Sequence, residues 1–99
     1  MKLPFNKEFS FYSPINIDNG YTNTQVSAYT KSTIIVQIDE EGQGGFEWEV
    51  DGLEDLHTTG GLWFDSKGIL CEYDGVFELP NELIEFLEKH GFNVDYAKN

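Results

Sequence analysis

The sequence predicts an α+β domain: a twisted, meander-like antiparallel β-sheet of five to seven strands, with one C-terminal helix packed on a face. Three observations predict it. Apolar residues recur with period two over roughly the first eighty positions, turn residues interrupt that pattern often, and helical spacing emerges after Pro80. The 99 residues read as a single domain, 1–99, for which a radius of gyration of about 13 Å is expected.

Residues 9–17 and 21–29 read as two strands joined across Asp18, Asn19 and Gly20, whose Asx-Gly chemistry suits a tight turn with positive φ. The run 33–39, Thr-Ile-Ile-Val-Gln-Ile-Asp, is the most β-branched of the chain and is expected to be a central strand. A glycine-rich loop over 40–45 leads into a strand over 45–51. There Phe46, Trp48 and Val50 share one face and Glu47, Glu49 and Asp51 the other, so burying the first set forces the second into water. Residues 52–61 are expected to form an irregular loop that turns Leu53 and Leu56 inward. Beyond it, 62–64 and 69–73 flank the turn Asp65-Ser66-Lys67-Gly68, and Asp74-Gly75 makes another turn before 76–79.

The helix is expected over residues 80–90. Proline suits a first turn, where its missing N–H is not needed, and Glu82 and Glu85 lie near the positive end of the helix dipole. Leu83, Ile84, Phe86 and Leu87 supply the apolar stripe, and Gly91 stops the helix. Residues 92–96 either return as a short edge strand or pack as a tail.

Charge is the strongest functional signal. The first 38 residues hold Glu8 and Asp18 against Lys2, Lys7 and Lys31, whereas residues 39–99 hold sixteen carboxylates against Lys67, Lys89 and Lys98. The chain has a formal net charge of -12, and its second part carries all of the excess. Solubility alone is met by a net charge of about 2 to 8 with both signs mixed, so this segregation points to a basic partner. The competing reading is that the acids solvate the outside of a sheet and protect its edges. Fifteen aromatic residues argue for a packed core and against an acidic disordered chain.

Arginine is absent, and six scattered lysines make nucleic-acid binding and adhesion to an anionic membrane unfavourable. Cys71 stands alone, which removes intramolecular disulfides and cysteine zinc clusters and reads as a buried thiol in a reducing compartment. The N-terminal residues contain no apolar run of signal-peptide length, so a cytoplasmic location is expected, the host cytoplasm if the chain is phage-encoded.

No catalytic signature accompanies the charge. Asp39-Glu40-Glu41-Gly42 lacks the register of an EF-hand, and Gly42-Gln43-Gly44-Gly45 lacks the Gly-Lys-Ser/Thr ending of a phosphate loop. His90 suits the C-terminal end of the helix dipole. His57, two residues after Asp55, offers a Cys/His pair with Cys71 without any spacing signature. No enzyme activity, cofactor or metal site is expected.

The candidate partner-binding residues are Asp39, Glu40, Glu41, Glu47, Glu49, Asp51, Glu54 and Asp55, with Glu82, Glu85 and Glu88 as a second patch. Alternate strand residues are about 6.8 Å apart, close to the step between phosphates of a nucleic-acid strand, so Glu47, Glu49 and Asp51 are expected to occupy cationic sites built for a backbone. In size and charge the chain resembles small phage and mobile-element inhibitors of host defence, including anti-CRISPR and anti-restriction proteins. The resemblance involves no family motif and assigns no residue a role. It implies an inhibitor that mimics nucleic-acid phosphates on a basic nucleic-acid-binding protein or nuclease. The alternative is an immunity- or adaptor-type protein that neutralises a basic toxin or enzyme without mimicry. The uncharged N-terminal region bearing Asn16, Asn19, Asn23, Gln25, Tyr21 and Tyr29 has the composition of an adaptable contact surface.

Overall fold

A computed structural model describes residues 3–19, 24–52, 57–76 and 78–98, with side chains outside 13–28. Five antiparallel strands follow one another in the sheet in chain order: β1 (Phe5–Asn19), β2 (Thr24–Ile38), β3 (Gln43–Val50), β4 (His57–Phe64) and β5 (Leu70–Asp74). The helix α1 (Asn81–Lys89) and a 3-10 turn over Asp95–Lys98 complete the described elements. The expected α+β sheet with one helix near the C-terminus is therefore the fold observed. Among the described residues no helix is long and apolar enough to cross a membrane.

Alternation builds the core. Ser32, Ile34, Val36 and Ile38 point to the inner face of β2, where Phe46, Leu62, Phe64 and Leu70 join them from the neighbouring strands. Leu83, Ile84 and Leu87 of α1 close this core from one side with Leu79, Phe92 and Val94. Each of the apolar side chains among them stabilises the fold by about 1.5 to 3 kcal/mol when taken out of water.

The strand boundaries differ from expectation in instructive ways. The segments read as 21–29 and 33–39 are one continuous strand, β2, because β1 pairs with it from Phe5↔Ile38 through Asn19↔Thr24. The turn expected at Asp18-Asn19-Gly20 falls partly outside the described residues, and Asn19 itself still belongs to β1. β3 starts at Gln43 within the expected glycine loop, and β4 starts at His57 within the expected irregular loop. Glycine makes the first possible. A methyl group at Gly44 would collide with the Gln37 carbonyl of β2, so only glycine lets β3 lie this close. Leu53 and Leu56 lie outside the described residues.

Pro80 is the residue before the helix, not its first turn, and its carbonyl accepts from the N–H groups of Leu83 and Ile84. After Gly91 the chain makes a parallel bridge from Asn93 to Ile69 and then the 3-10 turn. Pro14, which has no N–H to give, is tolerated because β1 is an edge strand.

β3 covers β2 only over Ser32–Ile38, so residues 13–19 and 24–30 continue past the sheet as a two-stranded ribbon. That projection stretches the molecule to 49 × 23 × 18 Å and its radius of gyration to 14.8 Å, above the roughly 13 Å of a compact chain this long.

Candidate functional site: the outer face of the sheet

The helix and the 3-10 turn lie on the inner face, and among the described residues no helix covers the outer one. The register places cross-strand rows there. Glu8, Ile35, Glu47 and Thr59 form one row; Ser10, Thr33, Glu49 and His57 form the next, with Ser10 and Thr33 hydrogen-bonded through their hydroxyls at 3.1 Å. Asn6, Gln37, Gly45, Gly61 and Asp74 make a third row on the other side of the first.

This face therefore gathers Glu8, Glu47, Glu49, Glu72 and Asp74, all exposed. Sequence reading missed Glu8, Glu72 and Asp74. Their alternation within each strand was legible, but assigning them to the face of Glu47 requires the register. A hollow of about 510 Å³ opens on the face, lined by Asn6, Ile35, Gln37, Gly45, Glu47 and Thr59 among others. Near one end of the face the ring of Trp63 lies over Gly61, whose place no larger residue can take without striking the ring and the Asp74 carboxylate. At the ribbon end Tyr12 and Tyr29 stack, 6.1 Å between centroids, while remaining 62% and 75% exposed.

The carboxylates of Glu47 and Glu49 both lean toward His57 on β4. The imidazole Nε2 lies 3.8 Å from one and 3.9 Å from the other, and the three donor atoms all fall within 4.8 Å of one another. Two glutamates that repeat at about 6.8 Å along the backbone thus bring their charges closer together than neighbouring phosphates sit. β3 ends at Val50, and Asp51 begins the turn after it, where its N–H donates to the Lys31 carbonyl and its own carbonyl accepts from the Thr30 hydroxyl.

The remaining candidates are dispersed. Asp39 organises the β2–β3 turn, its carboxylate accepting the N–H groups of Glu41 and Gln43 at 2.9 Å each, while Glu40 and Glu41 stand exposed at that turn. Glu54 and Asp55 lie outside the described residues. Glu82, Glu85 and Glu88 ride on α1, across the sheet from Glu47 and Glu49. Glu88 is also engaged within the chain: Lys98 donates to it at 2.8 Å, and this bond raises the lysine pKa, with Asp95 at 3.6 Å adding to it. As an exposed pair it contributes little stability.

Asp65 was not a candidate, and its carboxylate has structural work. It accepts the N–H groups of Ile69 and Lys67 at 3.0 and 2.8 Å, and the bond from Ile69 is the main cause that lowers its pKa.

The thiol expected to be buried is exposed. Leu70 takes the core-facing position opposite Phe64, and the register shift that follows in the β4–β5 pairing leaves both Cys71 and Glu72 exposed; the thiol donates to the Ile69 carbonyl at 3.4 Å. A Cys/His pair is not formed either. Cys71 stands beside Trp63 and Phe64 at the end of β4 opposite His57, about 20 Å away along the strand. His90 packs its ring against Phe5 and Phe86 at the end of α1.

No protein-family model, curated protein or solved structure matches this chain. The functional reading accordingly rests on the residues themselves.

Proposed function

We propose that this chain is a small acidic binding protein that captures a basic, nucleic-acid-handling protein on the outer face of its sheet, its carboxylates standing where phosphates would otherwise bind. The observation that carries the reading is the gathering of Glu8, Glu47, Glu49, Glu72 and Asp74 on a face that no described helix covers. Carboxylates accept from lysine and arginine with charge-assisted hydrogen bonds, and the stacked Tyr12–Tyr29 pair adds a surface on which a guanidinium can lie. The chain acts by occupation, with no bond made or broken. This is the action of a phage or mobile-element counter-defence inhibitor of the anti-CRISPR or anti-restriction type, working in the cytoplasm of the host.

The experiment is affinity capture on the immobilised chain, followed by elution with duplex or single-stranded nucleic acid at constant ionic strength. A mimic's partner leaves the resin when nucleic acid is added. Capture that survives in a Glu8→Lys, Glu47→Lys, Glu49→Lys variant would refute the reading.

The second reading is an immunity- or adaptor-type protein that neutralises a basic toxin or enzyme without mimicry. Two observations favour it: the convergence of Glu47 and Glu49 within 4.8 Å, unlike a phosphate repeat, and the division of the acids between the outer face and α1. A partner that stays bound while nucleic acid joins the complex selects this reading.

A further inference from the structure

We infer that Glu47, Glu49 and His57 form a binding site for one divalent transition-metal ion of the zinc class. Glu47 and Glu49 occupy positions i and i+2 of β3, and His57 sits directly opposite Glu49 on β4, so three metal-ligating side chains leave one face of one strand pair. The backbone beneath the two glutamates is held on both sides, because β3 pairs with β2 as well as with β4, and His57 is held by its pairing with Glu49. The ligand atoms are consequently presented by a rigid platform, and only the ends of the side chains have to adjust.

The spacing suits an ion better than it suits a direct contact. At 3.8 and 3.9 Å the imidazole Nε2 is nearly equidistant from the two carboxylates, beyond hydrogen-bonding range of both. An ion centred among three atoms no more than 4.8 Å apart is at most about 2.8 Å from each, and closing to the roughly 2.0 to 2.2 Å of zinc–nitrogen and zinc–carboxylate bonds takes a shift of under about 1 Å. All three side chains are exposed, so that shift meets no packing resistance.

Charge favours the same occupant. The two carboxylates repel each other; beside them in their rows Thr33, Ile35 and Thr59 are uncharged, and the lysine of that face, Lys31, stands one row further along β2. A divalent cation neutralises the pair. The imidazole selects among cations: it suits zinc, nickel and copper, whereas magnesium and calcium prefer oxygen alone. With three protein ligands the coordination sphere stays open toward solvent on the same face, as in zinc sites that bind water or a further ligand.

The test uses the isolated chain and zinc chloride, so its outcome does not depend on any partner. Calorimetric titration at pH 7.5 gives one zinc per chain, with affinity at least about tenfold weaker in His57→Ala and in Glu49→Gln and unchanged in Glu85→Gln on α1. Cobalt(II) absorption reports the same stoichiometry, and in nuclear magnetic resonance the His57 imidazole signals move on zinc addition while an excess of magnesium leaves them in place. Absence of saturable zinc binding, or equal affinity in His57→Ala and the native chain, overturns the assignment. The two proposals fail separately: His57→Ala weakens zinc binding at least about tenfold and retains partner capture, whereas Glu8→Lys weakens capture and retains zinc binding.

Discussion

Phe9 of β1 and Phe86 of α1 stack with their ring centroids 4.2 Å apart and their planes within 17°. This contact joins the nearly neutral first part of the chain to its acidic second part and fixes the helix on the inner face of the sheet. The outer face is left clear as a result. Phe5 extends the cluster, with Phe86 at 6.1 Å, Phe92 at 5.1 Å and His90 at 5.2 Å. Replacing Phe86 with alanine is expected to lower stability by about 2 to 3 kcal/mol, less than for a fully buried ring because Phe86 keeps partial exposure. Chemical denaturation checks this, and the far-ultraviolet spectrum of the variant should retain its sheet signal.

Gly44 carries a sharper expectation. Gly44→Ala pushes a methyl group into the Gln37 carbonyl and the Ile38 Cα, both backbone atoms of the interior strand β2 that cannot rotate away. The expected loss is about 3 kcal/mol, against the small gain that glycine-to-alanine substitution brings where the backbone has room. Gly52→Ala is no clean control for space alone, since φ there is +77°, although nothing lies near its position. The comparison of interest is therefore Gly44→Ala with Ser66→Ala, at an exposed turn position.

Reversal of the acidic face tests the proposed function without disturbing the core. Glu8→Lys, Glu47→Lys, Glu49→Lys should abolish capture of the basic partner while moving the melting temperature little, because all three side chains are exposed. Native capture should weaken steeply between low and physiological salt, since exposed charges are screened over about 8 to 10 Å. Measured binding that is flat in salt argues against electrostatic capture.

The tyrosine pair is expected to contribute affinity on its own. Tyr12→Ala and Tyr29→Ala each remove one ring of a stack that shields little of itself from water. Each should weaken partner binding by roughly 0.5 to 1 kcal/mol, the magnitude of an exposed cation–π contact, and binding isotherms of the single variants measure it.

Asp65 makes stability depend on acid. Its folded-state pKa is lowered chiefly by the Ile69 N–H, so the ionised carboxylate is favoured by folding. That contribution is fully present above the unfolded value of about 3.9 and is lost as the pH falls through the lowered folded value. Asp65→Asn removes the charge and keeps an acceptor. Native protein should therefore be the more stable of the two at neutral pH, with the gap closing in strong acid; equilibrium denaturation at several pH values reads it directly.

Much of the fold was legible because alternation is a local property. The apolar set Phe46, Trp48 and Val50 names the inner face of β3 from sequence alone, and the stripe Leu83, Ile84 and Leu87 names the buried side of α1. Boundaries were less legible where glycine intervened. Gly44, Gly60 and Gly61 read as loop residues, yet they lie within β3 and β4, because close strand approach needs the absence of a side chain as much as a turn does. Cys71 was misjudged for a related reason: an apolar residue type implied burial, but its neighbour Leu70 held the inward position.

The sequence by itself determined the kind of fold, the opposition of Glu47 and Glu49 to the core, and the excess of negative charge, since each follows from residue type and period. Only the tertiary structure decided which acids share a surface. Register brought Glu8, Glu72 and Asp74 to the face of Glu47 and set His57 against the two glutamates of β3, while the packing of α1 on the inner face put Glu82, Glu85 and Glu88 on the opposite side. Period two tells a side chain which way to point along its own strand; hydrogen bonding between strands far apart in the chain chooses its neighbours.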